Sequence, residues 1–189
     1  MLVAIDVDST LHDYWEQFSA AALRLHGVHL PYADQRAWRV DALTPEQVNE
    51  VVEATHADEA IESAIAYPGA AEAVQRWKAE GHEILITTHR RPEAHAVTAR
   101  WLERQEIPFD GLRCGWKKVD HCSDVGVALL IDDAPENLEG ALARGIAVAT
   151  IRHPWNHDLL QQRPEITHGD DWHALASGLR PLLGWPTSP

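Results

Sequence analysis

The chain has 189 residues, of which 45% are hydrophobic and 24% are charged. This length suffices for one sizeable core plus a small appendage, and the composition is typical of a globular protein. No apolar run approaches the roughly 18 residues that a membrane span needs, so no membrane span is predicted. The formal net charge of −13 disfavours binding to a nucleic-acid polymer or an anionic membrane, because both need a basic face. An anionic small substrate would need local positive charge, from a metal ion or a few placed Lys and Arg side chains.

The first apolar run is too short for a secretory signal and lacks a basic start. We therefore expect an intracellular, cytoplasmic protein. In that setting the two cysteines, Cys114 and Cys122, are expected to be free thiols rather than a disulfide.

The chain opens with an apolar run, residues 2–5, which predicts a strand that ends at Asp6 and Asp8. Alternate side chains of a strand share one face, so the two carboxylates would point into the same space if the extended geometry persists. Two like charges that close resist ionising together. Either a cation neutralises them, or one keeps its proton while the other stays anionic. The simpler alternative is a polar turn, since Asp, Ser and Thr are all turn formers.

Residues 11–66 are predicted to be mostly helical. Apolar side chains recur at helical spacing over residues 14–25, and Gly27 closes that helix. Thr44, Pro45 and Gln47 form the pattern of a helix start with a reciprocal capping box.

This helical block is far longer than a single crossover between neighbouring strands needs. We interpret residues 13–66 as a small helical cap inserted after the first strand. Residues 1–12 and 67–189 would then form the α/β core.

From Tyr67 onward, apolar strands alternate with helices. Strands are predicted at residues 84–86, 112–114, 127–131 and 146–151. Helices are predicted to start near Pro68, Pro92, Lys118 and Pro135, and a last helix, roughly residues 172–183, follows a loop. Apolar strands that are each followed by a helix predict a parallel sheet covered on both faces, a Rossmann-like three-layer α/β fold.

Three of these strands end in pairs of polar residues: Asp6 and Asp8, Thr87 and Thr88, and Asp132 and Asp133. The carboxyl ends of parallel strands lie at one edge of the sheet, where ligands bind, so these pairs are predicted to converge. Four carboxylates at one place would repel one another without a cation. Ligation by oxygen alone, with no Cys or His at the strand ends, favours Mg²⁺ over zinc.

The same residues resemble the four motifs of the haloacid dehalogenase-like hydrolases, most of which are Mg²⁺-dependent phosphatases. The first motif is similar to Asp6-Val7-Asp8-Ser9-Thr10 and the second to Thr88. The third resembles Lys117-Lys118, and the fourth resembles Asp132-Asp133. Their combination in this order is far more specific than any one motif alone.

The resemblance implies a role for each of these residues. Asp6 would attack phosphorus to give an aspartyl-phosphate, while Asp8 would protonate the leaving oxygen and then activate water. Thr88 and one lysine would hold the phosphoryl oxygens. Mg²⁺ would be bound by Asp6, the main-chain carbonyl of Asp8 and Asp133, with Asp132 in support.

Two departures from the family pattern stand out. Most members have Gly where this chain has Ser9, which would make the phosphate-receiving loop less permissive. Many members place another Asp where this chain has Asn137, which can coordinate or hydrogen-bond but adds no charge. Of the two candidate lysines we favour Lys118 over Lys117, because counting from Lys118 puts Cys122 where family helices carry an apolar residue.

A narrower resemblance spans almost the whole chain. Residues 66–70, 129–133 and 170–172, together with the helical insert, are similar to the 5'(3')-deoxyribonucleotidases, cytosolic type C, which dephosphorylate nucleoside monophosphates beneath a helical cap. It implies that Trp38 in the cap stacks on a base, although an aromatic side chain in a small cap is more often part of its core.

The leading hypothesis is therefore a Mg²⁺-dependent phosphomonoesterase of a small phosphorylated metabolite, with a nucleoside monophosphate as the narrower substrate hypothesis. A phosphatase of another phosphometabolite and a catalytically silent binding protein remain alternatives. Carbon–halogen hydrolysis is disfavoured because that branch lacks the acid/base carboxylate that Asp8 supplies.

His153 and His157 are spaced i, i+4, but Pro154 argues against a helix there, so no zinc site is predicted. For Arg90 and Arg91, surface solvation is at least as well favoured as contact with substrate.

Overall fold

The structure is a computed structural model that describes residues 1–37 and 39–184. Within them the strands form one parallel sheet in the order β3-β2-β1-β4-β5-β6. The strands are β1 (Leu2–Ile5), β2 (Glu83–Thr88), β3 (Gly111–Cys114), β4 (Leu129–Ile131), β5 (Ala147–Ile151) and β6 (Thr167–Gly169). Trp38 lies outside the described residues, so its contact with a base stays a prediction.

Helices connect the strands and cover both faces of the sheet. They are α1 (Tyr14–His26), α2 (Pro45–Thr55), α3 (Asp58–Ser63), α4 (Ala70–Ala79), α5 (His95–Arg104), α6 (Lys118–Asp124), α7 (Pro135–Leu142), α8 (His157–Gln162) and α9 (Trp172–Leu179). Short 3₁₀ turns cover Tyr32–Asp34 and Pro92–Ala94. No helix among the described residues is long and apolar enough to cross a membrane.

The continuous apolar strands are explained by burial on both faces of the sheet. Val3 and Ile5 of β1 belong to one apolar cluster, whereas Ala4 between them belongs to the cluster on the opposite face. In β4 the same alternation places Ile131 in the first cluster and Leu130 in the second. A strand that is buried on both faces needs apolar residues at every position. The predicted Rossmann-like three-layer α/β fold is thereby confirmed.

The helical segment between β1 and β2 has an apolar cluster of its own. Its buried members are Tyr14, Trp15, Phe18, Ala21, Ala22, Leu30, Leu43, Val51 and Trp155. Of these, Trp155 comes from the segment after β5, so this cluster joins the helical segment to the sheet. The predicted capping box is confirmed, since Thr44 and Gln47 exchange side-chain and backbone hydrogen bonds at the start of α2.

The prediction was wrong for the region after β5. The stretch expected to be a loop contains α8 and the edge strand β6, and α9 ends at Leu179 rather than near residue 183. The strand β6 has the sequence Thr-His-Gly, which lacks an apolar run, and α8 has only six residues. Strand β4 also begins at Leu129, two residues later than predicted. Cys114 and Cys122 are free, as expected.

Candidate active site

Three buried carboxylates meet at the carboxyl edge of the central strands. One oxygen each of Asp6, Asp132 and Asp133 lies within 4.8 Å of the others. The main chain fixes this edge, because the Asp6 amide donates to the Ile131 carbonyl at 2.9 Å and the Asp132 amide donates to that of Ala149 at 3.1 Å. The ends of β1 and β4 therefore bring together residues that are more than 120 positions apart in the chain.

Lys118 is the cation that lies against this cluster. Its Nζ donates to Asp6 at 2.6 Å and to Asp132 at 2.7 Å, and its side chain is buried. Burial disfavours the ammonium form, but the attraction of Asp132 and Asp6 outweighs it and raises the pKa of Lys118. Lys117 is exposed and occupies the left-handed region at φ 59° just before α6. The geometry thus places Lys118, and not Lys117, in the site.

One ammonium does not balance three clustered carboxylates. Burial, together with the charges of Asp132 and Asp8, raises the pKa of Asp6 to about 7 despite the attraction of Lys118. The pKa of Asp133 is raised well above its usual range by burial and by the charges of Asp132 and Asp6. A hard divalent cation would remove this repulsion, and carboxylate oxygens are the ligands that Mg²⁺ prefers. The chemistry of these side chains therefore fits Mg²⁺.

Neighbouring side chains orient the fourth-motif carboxylates. The Asn137 amide donates to both oxygens of Asp132, at 3.0 and 3.1 Å, so the residue that departs from the family pattern supports Asp132 through hydrogen bonds. Trp155 Nε1 donates to Asp133 Oδ2 at 3.0 Å. The Thr10 hydroxyl makes a long 3.5 Å contact with the other oxygen of Asp133. These contacts leave each carboxylate in one defined orientation.

The Asp8 carboxylate lies outside this cluster and contacts a different set of side chains. Arg90 donates through Nε to both oxygens, at 3.1 and 3.2 Å, and through Nη2 at 2.6 Å. His12 Nε2 lies 2.9 Å from Asp8 Oδ1, and His56 Nε2 lies 3.7 Å from Oδ2. Burial opposes ionisation of Asp8, but Arg90 and the two imidazoles outweigh it and hold the pKa well below its usual range.

Of the two alternatives left open for Arg90, the structure excludes surface solvation. Its side chain is buried, and its remaining N–H groups contact Thr98 Oγ1 at 3.2 Å and His12 Nε2 at 3.1 Å. Arg91 is exposed and pairs with Glu53. His12 was not predicted as a site residue, and for Arg90 contact with substrate was one of two open alternatives. The available signals were their positions, two residues after Thr88 and four residues after Asp8.

The loop after Asp8 is held in a conformation that usually favours glycine. Ser9 has φ 58°, in the left-handed region, so the family preference for Gly at this position has a conformational reason. Its buried hydroxyl finds no hydrogen-bond partner among the described residues. The Ser9 carbonyl accepts from His153 Nε2 at 2.8 Å, and His153 Nδ1 in turn lies 2.8 Å from the Tyr32 hydroxyl. This chain of hydrogen bonds connects the loop to the helical segment.

Burial lowers the pKa of His153 to about 4, so its ring is neutral near pH 7. With Nε2 donating to the Ser9 carbonyl, Nδ1 accepts the hydroxyl proton of Tyr32. His157 instead contacts Gln161. The two imidazoles therefore have different partners.

Thr88 lies at the carboxyl end of β2, beside the cluster in the sheet order. It is buried, and its hydroxyl accepts the amide proton of Arg90 at 3.3 Å. The hydroxyl of Thr87 is buried without a described partner. The structure thus brings Asp6, Thr88, Lys118 and the Asp132–Asp133 pair to one edge, with the Asp8 carboxylate turned toward Arg90.

A cleft of about 430 Å³ lies on the helical segment, beside Tyr67. Its lining residues are Asp13, Trp15, Glu16, Ser19, Leu30, Tyr32 and Tyr67. This described lining carries two carboxylates and no lysine or arginine. None of the predicted site residues lines this cleft.

The fold is shared with solved hydrolases. A haloacid dehalogenase-like family hydrolase from Streptococcus pneumoniae is 19% identical, with a TM-score of 0.67 over 93% of this chain and 97% of that chain. CbbY from Rhodobacter sphaeroides, solved in complex with phosphate, is 16% identical, with a TM-score of 0.63 over 94% and 98%. A HAD family hydrolase from Deinococcus radiodurans R1, solved with bound phosphate and sodium, is 16% identical, with a TM-score of 0.63 over 88% and 89%.

The family itself is identified by its sequence profile. The profile described as 5' nucleotidase, deoxy (pyrimidine), cytosolic type C protein matches residues 1–166. No curated protein matches the chain. Because the profile spans most of the chain and the fold agrees with it, the chain belongs to the 5' nucleotidase, deoxy (pyrimidine), cytosolic type C family, phosphoric monoester hydrolases with the haloacid dehalogenase-like fold.

Proposed function

We propose that this protein is a Mg²⁺-dependent phosphomonoesterase that acts through an aspartyl-phosphate on Asp6. The observation that carries the proposal is the position of Asp6, buried between the Lys118 ammonium and the carboxylates of Asp132 and Asp133. A carboxylate at a strand tip, beside a fixed cation and further metal-type ligands, suits nucleophilic attack on a phosphoryl group.

The roles proposed for the other side chains are those that the family resemblance implies, and their positions at the sheet edge support them. Thr88 and Lys118 hold phosphoryl oxygens at the sheet edge and position phosphorus in line with the Asp6 carboxylate. Asp6 and Asp133, with the main-chain carbonyl of Asp8, would bind Mg²⁺. Asp132 supports the site by holding Lys118 and Asn137. When bound, Mg²⁺ neutralises the clustered carboxylates and stabilises charge on the phosphoryl oxygens.

Asp8 serves as acid and then as base. Protonation of the leaving oxygen requires the Asp8 carboxyl to carry a proton, whereas Arg90 favours its anion. The substrate-bound state must therefore loosen Asp8 from Arg90 for the first half-reaction. The anion restored by Arg90 is then suited to activate the water that attacks the aspartyl-phosphate.

We further propose a nucleoside monophosphate as the substrate, dephosphorylated in the cytoplasm. The family description supports both points. The leaving group is then a nucleoside. Residues 13–66 would act as the cap that covers this leaving group. Dephosphorylation of another small phosphometabolite stays the alternative.

The test is phosphate release from an aryl phosphate and from a panel of nucleoside monophosphates and sugar phosphates, with Mg²⁺ and with chelator. We expect Mg²⁺-dependent hydrolysis, with the highest kcat/KM for nucleoside monophosphates. Asp132→Asn should lower turnover because it weakens the hold on Lys118, while the exposed Asp124→Asn serves as a matched control. Hydrolysis that persists in chelator would refute the metal assignment, and a preference for sugar phosphates would refute the nucleotide assignment.

A further inference from the structure

An exposed aromatic pair borders the active site on the side of β2 and β3. Trp116 is 75% exposed, and its indole stacks on the imidazole of His89 with the ring centroids 5.3 Å apart and the planes at 26°. An indole that is three-quarters exposed cannot have both faces covered. The stack therefore leaves a large aromatic surface available to a ligand.

Both rings lie next to proposed site residues in the chain. His89 directly follows Thr88. Trp116 precedes Lys118 by two residues, so the Cα atoms of Trp116 and Lys118 lie at most about 7 Å apart. Partial burial and the charge of Lys118 lower the pKa of His89 to about 4. The carboxylates of Asp132 and Asp8 oppose this shift but do not outweigh it. The imidazole of His89 is therefore neutral near pH 7.

The backbone presents Trp116 in a fixed arrangement. Arg113 donates to the Trp116 carbonyl at 2.8 Å and to the Gly115 carbonyl at 3.4 Å. Gly115 has φ 137° and Lys117 has φ 59°, which turns the chain sharply on either side of the indole. This segment has two positive φ values, and one guanidinium binds two of its carbonyls. Both features hold the indole in place without burying it.

We propose that Trp116, backed by His89, is the platform on which the planar base of the substrate stacks, and so determines specificity for nucleoside monophosphates over sugar phosphates. The inference rests on the proposed function, because a phosphoryl group at Asp6 is what brings the base to this rim. A neutral aromatic pair offers stacking to any base but no charge to a second phosphate. Trp116 lies between β3 and α6, outside residues 13–66.

Equilibrium binding tests the inference without requiring turnover. An Asp6→Asn background removes the proposed nucleophile, and calorimetry with Mg²⁺ then compares AMP and dUMP with ribose 5-phosphate. We expect Trp116→Ala to weaken binding of both nucleotides about 5- to 100-fold, as loss of a base stack does, while ribose 5-phosphate changes less than about twofold. Trp116→Phe should retain most of the nucleotide affinity, whereas Trp116→Leu, which is apolar but not aromatic, should not. Ile65→Ala is the matched control, because Ile65 is an equally exposed apolar side chain, at 79%, and belongs to the helical segment rather than to the segment after β3.

Each failure has its own signature. Equal losses for nucleotides and ribose 5-phosphate, or no loss for either, would overturn the role of Trp116 while leaving the phosphatase assignment intact. If the wild-type protein hydrolyses no phosphomonoester but binds nucleotides in a Trp116-dependent way, the proposed function fails and the platform stands. Circular dichroism of each variant checks that the fold is unchanged.

Discussion

At the scale of single residues, a buried ion pair joins Asp8 to Arg90 outside the carboxylate cluster. Both side chains are largely buried, at 14% and 1% exposure, and three N–H contacts join them. A buried charge that loses its partner is costly even where the intact pair contributes little. Arg90 therefore determines both the charge state and the orientation of Asp8.

Replacing Arg90 by Met should destabilise the protein by about 3 kcal/mol near neutral pH, because Asp8 is left as a buried carboxylate with weaker partners. The wild-type pKa of Asp8 is lowered, so its contribution to stability is present above the unfolded value near 4 and is lost as pH falls through the folded value. The difference between wild type and variant should thus be largest near neutral pH and shrink on acidification below about pH 4. Urea unfolding at several pH values measures both effects.

The adjacent arginine supplies a matched control. Arg91 pairs with Glu53 at 3.1 Å, but both side chains are more than half exposed. Arg91→Met should therefore change the free energy of unfolding by less than about 1 kcal/mol. Equal effects of the two substitutions would show that the Arg90 pair contributes no more than a surface ion pair.

The sequence could not distinguish these two arginines. Both follow Thr88 and carry the same charge, and which one is buried depends on where Asp8 and His12 lie across the sheet. Asp6 and the Asp132–Asp133 pair were predictable as a cluster because they come directly after the apolar strands β1 and β4. The Asp8 carboxylate was not predictable from strand alternation, because β1 ends at Ile5 and Asp8 contacts Arg90 instead.

At the scale of elements, the contact between β6 and α9 leaves no room for a side chain at Gly169. A Cβ atom there would lie 2.4 Å from the Leu175 amide nitrogen and 2.9 Å from the Asp171 carbonyl oxygen. These are backbone atoms, so the whole helix would have to shift. The close approach explains how a strand with one glycine and no apolar run still joins the sheet.

Gly169→Ala should consequently destabilise the protein by about 1–3 kcal/mol through overpacking. Gly140→Ala is the control in α7, where the nearest side-chain atom would be 3.5 Å from the added Cβ. That substitution should stabilise the protein by roughly 0.5–1 kcal/mol, because glycine in a helix interior is unfavourable. Denaturant unfolding of both variants is the measurement, and stabilisation by Gly169→Ala would contradict the close packing.

The elements that the sequence predicted share a strong local signal. Strands β1, β2, β4 and β5 are apolar because both faces are buried, and α1 and α2 have clear end signals. The missed elements α8 and β6 lack both features, and their positions depend on tertiary contacts such as that of Gly169. Tertiary contacts also determine where the last helix ends, which is earlier than its apolar pattern suggested.

At the scale of the whole molecule, a net charge of −13 coexists with a site for an anionic group. The positive charge at this site comes from a few buried cations, chiefly Lys118 and Arg90, each held by carboxylates. Composition predicted this need for local cations but not their identity. The order of the strands explains why the motif residues meet. Strand β1 lies between β2 and β4, so the residues that follow these strands share one edge of the sheet.

The central claim is that Asp6 accepts the phosphoryl group. The most direct measurement is acid quenching of the protein during turnover of an aryl phosphate with Mg²⁺, followed by mass spectrometry of its peptides. We predict a phosphoryl group on the peptide that contains Asp6. It should be absent in Asp6→Asn and retained in the exposed control Asp158→Asn. An Asp6→Asn protein that turns over within about tenfold of wild type, a barrier change of only about 1.4 kcal/mol, would contradict the account.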